Sequence, residues 1–154
     1  DIDSDYSYPS DRLNNEPEVS SNFITIGAIG PVKNPLMVAP FSNYGKENVD
    51  LFAPGAIIYA PVPSDKYQAL SGTSMAAPAV SGVAAILLSY YPKLSPEAIR
   101  KALMASVVKI DFELQLGYDR TKTTLGELSQ KGGIVNAYNA LLYVSDRQKN
   151  LRKL

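Results

Sequence analysis

An uncharged run that begins at Ser71 constrains the fold of this chain more than any other feature. No charged residue occurs from Ser71 until Lys93, and Ala, Gly, Ser and Val dominate the stretch from Ala76 to Ala85. Such small side chains let a helix backbone pack close to a sheet, and a helix that is apolar all round is typical of a buried position. The run therefore predicts a central, buried helix that presents Ser74 at its start.

The first residues of this helix have the properties of a reactive site. Gly72 lets the chain turn tightly and lets a substrate approach the backbone, and Thr73 and Ser74 are good capping residues. Unpaired N–H groups and the positive end of the helix dipole would lie beside the Ser74 hydroxyl, where the oxyanion of an acyl transfer forms. Pro78 lies near the first turn but removes the usual donor to the Ser74 carbonyl.

Three alternative interpretations apply to parts of this stretch. Taken alone, the four residues from Ser71 to Ser74 more often mark a capped helix start. A transmembrane span is not favoured, because Gly, Ser, Thr and Pro interrupt the run and its strongly apolar part is short. The nucleophile elbow of α/β-hydrolases requires Gly-x-Ser-x-Gly, and Ala76 occupies the position of the last glycine.

The longer string distinguishes between these interpretations. Gly-Thr-Ser-Met-Ala-Ala-Pro, from Gly72 to Pro78, followed by a small-residue helix, resembles the serine motif of the subtilisin-like serine peptidases, the subtilases. Four further stretches resemble the family in the same order, at residues 22–28, 41–45, 49–55 and 132–137. The resemblance covers most of the chain, from about Tyr8 to about Ala140. We therefore expect an α/β fold, the C-terminal part of a doubly wound, mainly parallel sheet flanked by helices.

The resemblance also implies roles for individual residues. It implies that Ser74 is the nucleophile and that Thr73 helps to bind the oxyanion. Met75 would shape the pocket on the leaving-group side, although a core methionine fits the composition equally well. Tyr8 and Pro9 would border the pocket for the residue that precedes the cleaved bond, with Ser7 near its floor. Residues 11–20 look like an extended version of that loop.

The absence of histidine is the feature that most limits what this chain does alone. A serine hydroxyl needs a base within hydrogen-bond reach, usually a histidine that a carboxylate orients. The triad order in subtilases is Asp, His, Ser, so both partners, and the oxyanion-binding asparagine, are expected upstream of Asp1. Asp50 occupies a structural position in the family pattern and is not assigned to the triad. We therefore expect residues 1–154 to be the C-terminal half of a peptidase domain, inactive alone.

Two rival functions remain open. One is a non-catalytic relative that keeps the fold for binding or structure. The other is a complementing half that becomes active only when it joins an N-terminal chain.

Composition and charge exclude several classes of partner and cofactor. Fifteen basic residues balance fifteen acidic ones, so nucleic-acid binding is not predicted. The chain has no cysteine, which excludes disulfides and thiolate metal sites. The spacing of Asp1, Asp3 and Asp5 suggests calcium, but Tyr6 and Arg12 stand where an EF-hand loop needs Gly and Glu. No metal ligand or cofactor is therefore predicted for the chemistry, and structural calcium stays open.

The expected partners are polypeptide substrates and the upstream half of the same domain. A chain that lacks this half should expose apolar surface, which predicts self-association. The first five residues are acidic and polar, unlike a signal peptide. An extracytoplasmic location, whether secreted, periplasmic or in the cell envelope, follows from the family resemblance.

Local patterns predict the remaining elements. Ser95 is expected to cap a helix that starts at Pro96, and Arg100 is expected to lie on the solvent-exposed face of this helix. Residues 67–70 are expected to form a strand that delivers Ser74 to the carboxyl edge of the sheet. The other predicted elements are strands at 23–28, 49–52 and 56–60, a short strand or turn at 132–135, an extended segment at 36–41, a hairpin around Gly117 and a last helix from Asn136.

Overall fold

The computed structural model describes residues 1–5, 7–12, 16–117 and 119–151. Within these ranges the chain forms eight short strands and four helices. The strands are β1 (Ile26–Ile29), β2 (Leu51–Pro54), β3 (Ile58–Val62), β4 (Lys66–Leu70), β5 (Val108–Lys109), β6 (Leu114–Leu116), β7 (Thr121–Thr123) and β8 (Gly133–Ile134). The helices are α1 (Thr73–Tyr90), α2 (Pro96–Ala105), α3 (Leu125–Leu128) and α4 (Ala137–Leu151).

The central sheet is mainly parallel. Its strand order is β1-β2-β8-β5, and only β5 runs antiparallel to its neighbour. Ile26 pairs with Leu51 in the first parallel ladder, and Phe52 pairs with Ile134 in the second. The chain therefore has the predicted α/β fold with a mainly parallel sheet.

Alternate residues of β1 and β2 face opposite sides of the sheet. One side packs against α1, α2 and α4, and its core includes Ile26, Ala28, Leu51 and Ala53. The other side is covered by the segment 37–38, the β6-β7 hairpin and α3, and its core centres on the fully buried Phe52. A Cβ atom on Gly27 would overlap the Phe52 ring, so a glycine is required at the centre of β1.

Two predicted elements differ from the structure. β4 is not a strand of the central sheet, because it pairs in an antiparallel hairpin with β3. The two strands are separated by only three residues, so closing this local loop costs little entropy. The segment 36–41 contributes only an isolated bridge, from Val38 to Ile29, instead of an extended strand.

The predicted starts of α2 and α4 agree with the structure. The Ser95 hydroxyl accepts a hydrogen bond from the Ala98 N–H at 3.2 Å, and Pro96 is the first residue of α2. The Asn136 side chain accepts one from the Asn139 N–H at 2.8 Å, just before α4. The hairpin predicted around Gly117 is also present, with Gly117 at a φ of +71° that favours glycine.

Helix α1 is buried on one side, and this corrects the prediction of burial all round. Only Ala76, Val80 and Leu87 are buried in α1, whereas Leu88 is 40% and Tyr90 is 70% exposed. β1, β2, α2 and α4 make the most extensive contacts with α1, and Leu88 and Tyr90 lie on a part of the helix that stays exposed. By length and composition alone α1 would suffice to cross a membrane, a criterion that core helices of soluble proteins also meet.

Candidate active site

The chain enters α1 through a turn that is hydrogen-bonded to the residues that follow β2. The Gly72 N–H donates to the Gly55 carbonyl at 2.8 Å, and the Ile57 N–H donates to the Ser71 hydroxyl at 2.9 Å. A Cβ atom on Gly55 would lie 2.7 Å from the Cβ of Ala28. Gly55 therefore allows the end of β2, strand β1 and the start of α1 to meet, which fixes where the helix begins.

The helix start differs in detail from the sequence prediction. Gly72 is the N-cap residue and no side chain caps the helix, so Thr73 and Ser74 are its first two residues and not caps. Gly72 has an extended backbone with a φ of 163°, which any residue adopts. A Cβ atom there would meet the Met75 sulfur at an ordinary 3.5 Å. The structure therefore gives no conformational reason for the glycine, and its expected role of letting a substrate approach stays a prediction.

Ser74 lies exposed on the first turn of α1. The nearest side-chain hydrogen bonds along the described chain belong to Ser71 and Ser81, and none involves the Ser74 hydroxyl. The first turn contains no acidic residue, so the positive end of the helix dipole is not neutralised locally. An exposed hydroxyl beside the N–H groups of a helix start has the geometry in which an acyl-transfer oxyanion is stabilised.

Pro78 lies within α1, as predicted. Its missing N–H leaves the Ser74 carbonyl without the donor that an ordinary helix would supply.

The remaining predicted site residues are only partly brought together. Thr73 and Met75 flank Ser74 and are half-buried, so continuity of the chain keeps them beside the hydroxyl. Ser7 is exposed and lies on the N-terminal segment, whose Ile2 N–H donates to the Tyr44 carbonyl at 2.8 Å. No described hydrogen bond links Ser7 to the turn before α1, and its place in a substrate pocket stays a prediction.

Asp3, one of the acidic residues near the N-terminus, has a structural role. The Asp3 carboxylate accepts hydrogen bonds from the backbone N–H and side-chain amide of Asn48, both at 2.9 Å. In the described ranges, no group of three or more acidic, histidine or cysteine residues has the geometry of a metal site. Asp3 therefore fastens the N-terminal segment to a neighbouring turn. Tyr6, which the EF-hand comparison used, lies outside the described residues.

An ion-pair network on α2 is the feature that sequence reasoning missed. Arg100 was predicted to face water, but its guanidinium donates two hydrogen bonds to Glu18, both 2.9 Å, and one to Asp50 at 2.7 Å. Asp50 in turn accepts the Thr25 N–H at 2.7 Å. The network joins the segment that contains Glu18, the residue directly before β2, and α2, and it gives Asp50 a structural role.

The network shifts the pKa values of its carboxyl groups in opposite directions. Hydrogen bonds from Arg100 lower the pKa of Glu18 to about 2. Burial raises the pKa of Asp50, although its hydrogen bonds to Thr25 and Arg100 act in the opposite direction. Only the periodic pattern of α2 was visible in the sequence, and it did not reveal partners 50 and 82 residues away.

Several known proteins are similar in sequence to this chain. The model of the subtilase family matches residues 4–138. Subtilisin DY of Bacillus licheniformis is 39% identical over 101 residues, which are 66% of this chain and 35% of that protein. A halolysin-like extracellular serine protease, Nep, of Natrialba magadii is 40% identical over 89 residues, 57% of this chain and 16% of that protein. The chain thus spans about a third or less of these relatives.

A solved structure shows the same fold. A structure described as the basis of subtilase cytotoxin SubAB assembly superimposes with a TM-score of 0.69 and 24% identity. The match covers 91% of this chain and 42% of the other. With a family model over most of its length, the serine motif on the first turn of α1 and this fold, the chain belongs to the subtilase family.

Proposed function

We propose that the protein containing this chain is a serine endopeptidase that cleaves peptide bonds through an acyl-enzyme at Ser74. The exposed serine on a helix start without acidic residues is the observation that supports this most directly. In this reaction the Ser74 hydroxyl attacks the peptide carbonyl, and a histidine takes its proton and gives it to the leaving amine. The Ser74 N–H and an asparagine side chain bind the oxyanion. Met75 and Ser7 border the substrate on the two sides of the cleaved bond.

The histidine, the aspartate that orients it and the asparagine come from an upstream half of the domain. The chain contains no histidine, so no residue of its own supplies the usual base. The chain spans 35% of Subtilisin DY, which leaves room in such a protein for another half. Without that half, Ser74 is an ordinary alcohol and the chain is inactive.

The upstream half covers the open side of α1. A cavity of about 360 Å³ lies between the start of β1, α1 and α2, and most of its lining is apolar, including Ile24, Ala84 and Leu88. β1 is also an edge strand of the central sheet in the described ranges. An edge strand next to an apolar cavity is a surface on which further sheet and helix can pack.

Self-association is expected when the upstream half is absent. The open side of α1 exposes Leu88 and Tyr90, which then favour contact with a second copy. Light scattering of the purified chain should give a mass above that of one copy. A monodisperse monomer at the highest soluble concentration would contradict this expectation.

Complementation tests the proposed function. The chain is co-expressed with the upstream half of its own protein, and hydrolysis of unfolded casein is measured for each half and for the complex. We expect the complex to hydrolyse casein and neither half to do so by itself, because only the complex holds both nucleophile and base. Turnover by the isolated chain would show that the base does not come from upstream.

The absence of histidine also favours one alternative, a subtilase-fold domain that binds or supports other proteins without catalysis. A stable complex of the two halves that does not hydrolyse casein would support it. The extracytoplasmic location belongs to the same proposal, and it is supported by the extracellular description of the Natrialba magadii relative.

A further inference from the structure

The hairpin of β3 and β4 turns an apolar face to solvent. Cross-strand partners lie on the same face of a hairpin, and here Tyr59 pairs with Ala69 while Pro61 pairs with Tyr67. All four are exposed. The opposite face contains the half-buried Ile58, Ala60, Val62 and Leu70, together with the exposed Lys66 and Gln68. The outward face is therefore uncharged and apolar at every position of these two pairs.

The two tyrosines form a platform on this face. Their rings stack with centroids 5.6 Å apart and planes 26° apart. Tyr59 remains 71% exposed and Tyr67 62% exposed, so stacking leaves most of both side chains free to contact another molecule. Isolated exposed apolar residues are normal on proteins, whereas a contiguous set marks a binding surface.

The platform is continuous with the proposed active site. β4 ends at Leu70, and the chain passes directly through Ser71 and Gly72 into α1. The base of the hairpin is fastened to this passage by the hydrogen bond from the Ile57 N–H to the Ser71 hydroxyl, 2.9 Å long. Tyr67 precedes Ser74 by seven residues, a distance of at most about 25 Å.

This position indicates what binds there. A polypeptide whose carbonyl reaches Ser74 extends by about 3.3 Å for each residue. A substrate bound at Ser74 therefore spans the distance of at most about 25 Å to Tyr67 within about eight residues. Flat aromatic surfaces bind other aromatic rings and proline well, because large apolar areas are buried with little loss of side-chain freedom.

We propose that Tyr59 and Tyr67 are specificity-determining residues that bind an aromatic or proline side chain of the polypeptide substrate, several positions from the cleaved bond. This inference rests on the proposed peptidase function. It adds a substrate preference that the serine motif does not contain, because the platform belongs to the hairpin and not to the motif.

Peptide binding to the complex of the two halves tests the inference. The complex carrying Ser74→Ala is titrated with an extended peptide of alternating Ala and Ser that carries one Phe, and with the same peptide carrying Ala instead. The tyrosine ring signals are followed by NMR. We expect Tyr59 and Tyr67 to shift with the Phe peptide alone, and Tyr59→Ser with Tyr67→Ser to weaken its binding roughly tenfold. Tyr138→Ser, which changes a tyrosine on α4 with 70% exposure, is the matched control.

The other outcomes overturn the inference. Ring signals that shift with protein concentration alone would identify a second copy as the occupant, and rings that respond to neither peptide would show that no substrate side chain binds there. The complex of the two halves separates this inference from the proposed function. If the parent complex hydrolyses the Phe and Ala peptides with equal kcat/KM, the inference about the platform is wrong and the proposed function stands. If the Phe peptide shifts the tyrosine rings but no peptide is hydrolysed, the proposed function is wrong and the platform still binds the side chain.

Discussion

Replacing Ser74 by alanine is expected to lower kcat of the proposed peptidase by on the order of a million-fold, the loss expected when a triad nucleophile is removed. Alanine has no hydroxyl to form the acyl-enzyme, while the amides of the α1 start stay in place. The residual rate therefore comes only from substrate binding and the oxyanion site. Hydrolysis of unfolded casein by the complex of both halves measures the loss.

Ser81→Ala is the matched control for this substitution. Ser81 is exposed on the same helix, and its hydroxyl donates to the Ala77 carbonyl at 3.2 Å, a local bond with no part in the proposed chemistry. Ser81→Ala should keep full activity, and both variants should unfold at the same denaturant concentration as the parent. Full hydrolysis by Ser74→Ala, or an equal loss in Ser81→Ala, would refute the role of Ser74.

Replacing Arg100 by alanine is expected to destabilise the fold by about 3–5 kcal/mol, the cost of leaving buried charges without their partner. Its side chain is 14% exposed, and the partners Asp50 and Glu18 are 5% and 22% exposed. Denaturant unfolding followed by circular dichroism measures the change. Lys46→Ala removes an ion pair with Glu127 whose side chains are 56% and 62% exposed. This control should change stability by less than about 1 kcal/mol.

The acid dependence of stability identifies the charge interaction as the cause. The Glu18 pKa is lowered from 4.5 to about 2 in the folded chain. A lowered pKa stabilises the fold above the unfolded value, and this contribution is lost as the pH falls from 4.5 towards 2. Arg100→Ala should flatten this loss, whereas Lys46→Ala should not. An Arg100→Ala variant that keeps the parent's stability and acid profile would show that the network contributes nothing.

The elements that local chemistry determines were predictable from the sequence. Ser95 before Pro96 specifies the start of α2 through one side-chain hydrogen bond and a missing N–H, both of which depend on neighbouring residues. The motif around Ser74 likewise predicted a helix that the structure contains. The hairpin around Gly117 follows from a residue that tolerates a positive φ.

Contacts between distant residues were not predictable in this way. The sequence shows Arg100 on the polar side of α2, but Glu18 and Asp50 reach it only after the loop and sheet have folded. The pairing of β4 with β3 depends on a competition between local and distant partners that one strand pattern does not reveal. The exposure of α1 depends on what packs against it, which its own composition does not specify.

The residues of the candidate site likewise differ in how far the sequence predicted them. Ser74, Thr73 and Met75 were identified from one continuous motif, and the structure keeps them adjacent on the first turn of α1. Ser7 was assigned from the resemblance of a loop, and its location relative to Ser74 depends on tertiary packing. The tyrosine platform was not predicted. Whether Tyr59 and Tyr67 stack depends on the register of the hairpin, and the sequence pattern does not give that register.

Labelling of the endogenous protein with a fluorophosphonate, followed by peptide mapping in a mass spectrometer, tests the central claim most directly. Such probes react with a serine only when a base and an oxyanion site activate it. The account predicts a phosphonate adduct on Ser74, in a polypeptide that extends upstream and contains histidine. An endogenous protein that stays unlabelled at Ser74 under conditions that label another active subtilase would contradict it.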